Sequence, residues 1–252
     1  MLIIISSAKT MKNDGWSIVD QTSYEHNNDQ THSLLQALKS FSLQELEKVL
    51  GVSRNLAEIN FKRYQNFENL GKQAAFYAYD GDVYKNISRD NLSPPQIDYL
   101  SQHLKIISGF YGLLSAFDKI KPYRLEMSSK LPQISSKSLN IFWRDFITEN
   151  LQKELAKHRE KVILNLASNE YSSVIDRKKL NSKIIDVFFL EHKMGTLKNI
   201  AINAKRARGM LLNYMIQNQL TIPEKAQEFK LSGYKFDPKL SDDNNYYFIR
   251  YN

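Results

Sequence analysis

Two short apolar runs constrain this chain most. Residues 2–5 (LIII) are four large aliphatics in a row, and residues 161–167 (KVILNLA) are apolar apart from the leading lysine and Asn165. Runs this short, without polar alternation, read as strands buried on both faces. The first is too short for a secretion signal and has no basic leader before it. No apolar stretch approaches the roughly 20 residues of a membrane span.

Between the runs, strand and helix patterns mix without regular alternation. Residues 31–41, 42–50 and 53–67 read as three short helices. Ser42 with Glu45 has capping-box spacing at the second of them. Residues 13–30 are polar and turn-rich. Residues 74–79 read as an apolar strand stopped by the turn Asp80–Gly81–Asp82. Pro94 and Pro95 open a helix to about Leu104, and 105–110 is a strand. Residues 138–158 form an amphipathic helix. Residues 184–191 and 197–203 read as a hairpin around Lys193–Met194–Gly195–Thr196. A helix over 204–220 and a strand over 246–251 follow. No repeat or linker divides the chain. The expectation is one α/β (mixed α+β) domain over 1–252, with a mixed central sheet and surrounding helices. A helix-hairpin-helix subregion is expected at about 42–67.

Composition narrows the chemistry. The chain has 252 residues, 42% apolar and 12% aromatic, enough for a sizeable core, and 35 Lys and Arg against 27 Asp and Glu give +8. That excess favours polyanionic partners. There is no cysteine, which excludes disulfides, thiolate metal sites and thiol catalysis. The five histidines are scattered, with no metal-ligand spacing, so no metal site and no cofactor is expected. A cytoplasmic monomer without membrane contact is the expected state.

Three constellations carry possible chemistry. In 203–215 (NAKRARGMLLNYM), Lys205, Arg206 and Arg208 leave an apolar helical stripe. With Asn203 as N-cap, these cations crowd a helix start that is already positive, and a bound phosphate relieves the conflict. A helix that begins earlier turns them into a solvated basic face, and the pattern supports both equally. In 46–64, two helices flank Gly51, with Arg54, Lys62 and Arg63 nearby. Backbone N–H groups at such a hairpin can meet a phosphate, but a plain helical hairpin with Gly51 as C-cap fits the pattern better. The third constellation gathers loops after strands. These are Lys9 after the first strand, Ser168 and Glu170 after 161–167, and the charged segment 108–127 with Asp118, Arg124 and Glu126. Loops past the carboxyl ends of strands build sites in open α/β sheets. Lys9, Asp118, Glu126 and Glu170 are the candidate catalytic groups there, and a buried ion-pair network is the rival reading.

Several motifs in order then resemble one family. They are ISSAKT near the start, GDVY at 81–84, SGFYGLL and KPYRLEM within 108–127, FW at 142–143, NLASNEY at 165–171, KKLNSKII at 178–185 and AKRARG at 204–209. Together they resemble the YaaA family of peroxide-stress proteins over nearly the whole length. The chain departs from that family in carrying Ser7 where relatives have proline. Ser115–Ala116–Phe117 also stands before Asp118 where relatives often have Arg-Pro. The resemblance implies a single α/β domain with a basic cleft and a helix-hairpin-helix. It also implies binding to double-stranded DNA, protection against oxidative damage and a link to lowering free iron. It brings no settled reaction.

The functional expectation is a peroxide-stress protein that holds duplex or distorted DNA by its phosphates. The contacts would be Lys9, Gly51, Arg54, Arg124, Lys178, Lys179, Lys205, Arg206 and Arg208. The alternative is a base-flipping DNA glycosylase or lyase that uses Lys9 and a nearby carboxylate. Tyr111 and Tyr123 are expected to line a wall of the cleft.

Overall fold

The computed structural model describes residues 1–12, 28–132, 134 and 138–251. The turn-rich stretch expected over 13–30 lies mostly outside them. Strands are β1 (Leu2–Ser6), β2 (Gln73–Ala74), β3 (Leu104–Ser108), β4 (Gly112–Ser115), β5 (Lys119–Ile120), β6 (Val162–Asn165), β7 (Lys183–Lys193), β8 (Thr196–Lys198), β9 (Lys230–Leu231), β10 (Tyr234–Phe236) and β11 (Asn245–Tyr251). Helices are α1 (Asp29–Ser40), α2 (Leu43–Leu50), α3 (Arg54–Gln65), α4 (Ala75–Ala78), α5 (Pro94–His103), α6 (Leu139–Ala156), α7 (Asn169–Ser172) and α8 (Ala201–Asn218).

The two apolar runs become β1 and β6, paired in parallel at the centre of a nine-stranded mixed sheet. The order is β4-β3-β1-β6-β7-β11-β10-β9, with β8 joined to β7. Successive side chains of a strand point to opposite faces, and Leu2, Ile3, Ile4 and Ile5 are all fully buried. Both faces of β1 are therefore covered, as its uniform apolarity requires. From β1 the chain moves to β3 on one side, and from β6 it moves to β7 on the other. The carboxyl ends of β1 and β6 thus flank a topological switch point, where open α/β sheets leave a crevice.

Local signals explain several element ends. The Ser42–Glu45 capping box forms at α2, and Gly51 closes that helix at φ 58°. Gly51 is left-handed there, a conformation glycine adopts without strain. Ser93 and Gln96 make a second capping box at α5, with prolines in its first turn.

Three expectations are corrected. Residues 74–79 form no strand beyond Ala74; Ala75–Ala78 is a helical turn. Its backbone finds irregular partners: Ala75 N donates to Asp118 O, and Phe76 N to Ala116 O. The Arg89 guanidinium donates to the carbonyls of Phe76, Tyr77 and Tyr79, doing the work of a neighbouring strand. The strand expected over 197–203 stops at Lys198, and the last helix begins at Ala201 with Ile200 as its cap. Asn203 is not the N-cap; its Nδ2 donates to Glu191 Oε1 at 2.6 Å. Strands β4, β9 and β10 are short pieces that sequence periodicity did not show.

Gly209 in α8 accounts for the end of the AKRARG motif. A Cβ there would overlap Val83 O in the GDVY segment. Gly209→Ala should therefore separate α8 from that turn and cost about 1–3 kcal/mol, read by chemical denaturation. An unchanged midpoint would contradict this packing.

Burial above all pushes the His158 imidazole down to about 4, with the ring of His103 4.9 Å away. His103 is lowered too, mainly by burial, and its Nδ1 donates to Met1 O at 2.7 Å. Both bases are depressed on folding, so between about pH 4 and 6.5 the unfolded chain binds more protons. Stability should rise with pH through that window, and His158→Gln should flatten the rise in a thermal-melt series. An equal slope in the variant would contradict the assignment.

Candidate functional site

Lys9 and Glu170 both follow strand ends at the switch point, Lys9 after β1 and Glu170 after β6. The two turns are tied together: Ser168 N donates to Ser6 Oγ at 2.9 Å, and the two serine hydroxyls lie 3.3 Å apart. The segment 121–130 crosses above them. Glu170 Oε1 accepts from Ser128 N at 3.1 Å and so anchors this segment to α7.

The segment brings three candidates into one contact. Lys9 Nζ lies 2.6 Å from Glu126 Oε2, and Arg124 Nη2 lies 3.4 Å from Glu126 Oε1. One carboxylate thus orients two cations. Glu126 and Arg124 are mostly covered, at 16% and 17% side-chain exposure, whereas Lys9 keeps 57%. These residues line an open groove of about 520 Å³ whose far wall is the end of α2 with Gly51. Lys48 and Lys130 complete it, giving four cations against one carboxylate. Sequence reading missed Lys48 and Lys130. Lys48 lies within the 46–64 hairpin but is not singled out there, Lys130 sits in no motif, and only the approach of α2 to residues 128–132 brings them in.

The remaining candidates lie apart from this contact. Asp118 Oδ2 accepts from Ser115 N and shapes the turn between β4 and β5. The Gly51 N–H is used within α2, bonding Lys48 O, and Val52 N donates to Glu47 O. Gly51 therefore contributes close approach rather than a free donor. Arg54 is shared by Glu58 and Glu47 at 3.3 and 3.9 Å. Lys179 pairs with Asp145, and Lys178 is exposed on the same Asp176-capped turn. Arg206 reaches Asp82 at 3.8 Å. Lys205 and Arg208 line a different cavity, beside β7. Because α8 begins at Ala201, these cations stand in its second turn or beyond, and the helix-end conflict does not arise.

Residues 1–240 match the family model described as peroxide stress protein YaaA. The chain belongs to this family. It is 42% identical over 250 residues to UPF0246 proteins of Rickettsia felis and Rickettsia bellii, and 43% to one of Rickettsia africae. In each case the match covers 99% of this chain and all of the relative.

The motif that carried the YaaA resemblance at 108–127 works from beneath the groove. Tyr111 and Tyr123 are buried, and neither lines the groove with Lys9 and Glu126. This corrects the expectation that they form its wall. Tyr123 OH lies 2.7 Å from Ser108 Oγ and 2.8 Å from Tyr79 OH. Tyr111 OH accepts from Lys121 N at 2.9 Å. Tyr64 OH donates to Arg124 O at 2.6 Å. Burial raises the pKa of all four tyrosines, so they remain neutral hydrogen-bonding groups. Gly109 lets the loop lie flat, because a Cβ there would be 2.5 Å from Leu125 O and 2.9 Å from Glu126 C.

Among the described residues no His, Asp, Glu or Cys cluster could hold a metal, and no helix is long and apolar enough to cross a membrane. Gly109→Ala should push Glu126 away from Lys9 while leaving the charge inventory intact. We expect about 1–3 kcal/mol lost in denaturant melts. Retained stability would show that the close approach is not required.

Proposed function

We propose that this chain binds duplex DNA through its phosphates, along the groove between α2 and the loops after β1 and β5. One observation carries the reading: four cations meet in one open groove around a single carboxylate that orients two of them. A phosphodiester strand supplies the negative charge that such a lining favours, and preorientation by Glu126 lowers the ordering cost of binding. The α2–Gly51–α3 hairpin adds a wall without a side chain at Gly51, as a helix-hairpin-helix does. The lining presents no run of base-reading side chains, so little sequence readout is expected. Membership of a peroxide-stress family is consistent with a DNA-protecting role.

The 2.6 Å contact of Lys9 with Glu126 also favours a second reading, a lyase-type enzyme. A nucleophilic lysine needs a desolvated pocket, and Lys9 stands on the rim with more than half its side chain in water. Binding is therefore the better account.

Substitution separates the two. Lys9→Arg keeps the charge and should retain duplex affinity within about threefold, whereas Lys9→Ala should weaken it about three- to tenfold at low salt, by fluorescence anisotropy. Loss of peroxide protection in Lys9→Arg with DNA affinity and melting temperature intact, or a borohydride-trapped adduct at Lys9, would replace the binding reading with the enzymatic one.

A further inference from the structure

Strand β7 loses its neighbour on one edge part-way along. β6 ends at Asn165, opposite Asp186. β11 fills the other edge from Asp186 to His192. β8 therefore joins the β6 edge, and it does so only at Glu191, opposite Lys198. Residues 187–190 face a gap in the ladder. A cavity of about 330 Å³ lies against it, lined by Val187 and Phe188, by the turn after β6 and by α8. Backbone polar groups beside such a gap need partners from outside the sheet.

The side chains around this cavity are unevenly matched. Arg177 is neutralised by Asp186, with Nη2 to Oδ1 at 2.8 Å. Asn165 Nδ2 donates to the same Oδ1 at 2.7 Å. This leaves Asp186 Oδ2 without a partner among the described residues, as an acceptor in the lining. Arg208 has neither ion pair nor hydrogen bond among them, and its Nε is sealed from solvent. Burial lowers its pKa with no carboxylate to offset the cost. Arg250, whose Nε is likewise unpartnered, differs in having a carboxylate at 2.7 Å in Glu191. Lys205, one turn before Arg208, also lines the cavity without a partner among the described residues. An uncompensated guanidinium is costly, and such costs are retained where a ligand supplies the missing charge.

We propose that this cavity binds a small phosphorylated molecule that also carries hydroxyl or amino donors, as a nucleoside monophosphate does. Arg208 and Lys205 take the phosphoryl group. Asp186 accepts from the donor end. Phe188, stacked on Tyr247 at 4.8 Å, gives a rigid flat wall for a planar ring. The volume stands at the lower end of small-ligand pockets. The cavity shares no lining residue with the groove of Lys9 and Glu126, so its occupancy does not depend on the DNA reading.

The test uses the full chain, with inorganic phosphate and adenosine monophosphate followed by calorimetry and thermal melts. Both probes should bind saturably, the nucleotide more tightly. Arg208→Met should weaken the nucleotide at least about tenfold, as expected for loss of a charged hydrogen bond. The same change should raise the melting temperature of the ligand-free protein, since it removes an unpaired, partly covered guanidinium; a purely structural arginine would give a fall. Exposed Lys205→Ala leaves the core untouched and should also weaken the nucleotide, so it decides the matter if Arg208→Met does not fold. Lys9→Ala and saturating duplex DNA should leave nucleotide binding unchanged. The proposal is overturned if the nucleotide does not bind, or binds no better than phosphate. It is equally overturned if both cavity variants bind like the wild type, or if Lys9→Ala or duplex DNA abolishes binding.

Discussion

A short chain of buried hydroxyls fixes the rest of the groove. Ser108 Oγ, at the end of β3, meets Tyr123 OH, which meets Tyr79 OH. Ser108 Oγ also accepts from the N–H groups of Phe110 and Tyr111. These bonds, made in the buried interior, hold segment 121–127 above the carboxyl end of the sheet. There Glu126 lies between Lys9 and Arg124. Within 108–127 the rings and hydroxyls therefore lie below and Arg124 and Glu126 above, while Asp118 shapes the turn after β4 and Lys121 donates to the carbonyls of Phe67 and Glu68.

Charge is distributed unequally over the surface. Arg54, Lys179 and Arg206 each have carboxylate partners, and exposed pairs of this kind add little stability. Their pairing also lowers their value as free phosphate contacts. Lys9 and Arg124 share one carboxylate, while Lys48 and Lys130 beside them make no ion pair among the described residues. The groove after β1 and the cavity beside β7 thus each gather cations in excess of carboxylates. The first is open, as a groove for a polymer backbone has to be. The second is smaller and flanked by an unfilled sheet edge, suited to a small molecule.

The sequence showed the centre of the fold because burial on both faces leaves a visible trace. Residues 2–5 and 161–167 read as buried strands, and the loops after strands were the expected place for a site; that the two strands are neighbours came only with the pairing. Lys9, Arg124 and Glu126 were legible for that reason. What sequence could not show was decided by tertiary partners. Residues 74–79 look like a strand, but Arg89 and the backbone of 116–118 satisfy a helical turn instead. Asn203 has the chemistry of an N-cap, yet buried Glu191 claims it and the helix starts earlier. Lys130 belongs to no motif, and nothing local marks Lys48 within the 46–64 hairpin as a groove residue. The cavity of Arg208 depends on where β6 and β8 stop, a property of pairing that no local pattern encodes.

The central claim is that Lys9 neutralises a DNA phosphate in the groove. The most direct measurement is the salt dependence of duplex binding, as the slope of log affinity against log salt. Each neutralised phosphate contributes roughly 0.9 to that slope. Lys9→Gln should make it shallower by about that amount, while Lys205→Ala, in the separate cavity, should leave it unchanged. A Lys9→Gln slope equal to the wild type, or a loss confined to Lys205→Ala, would contradict the account.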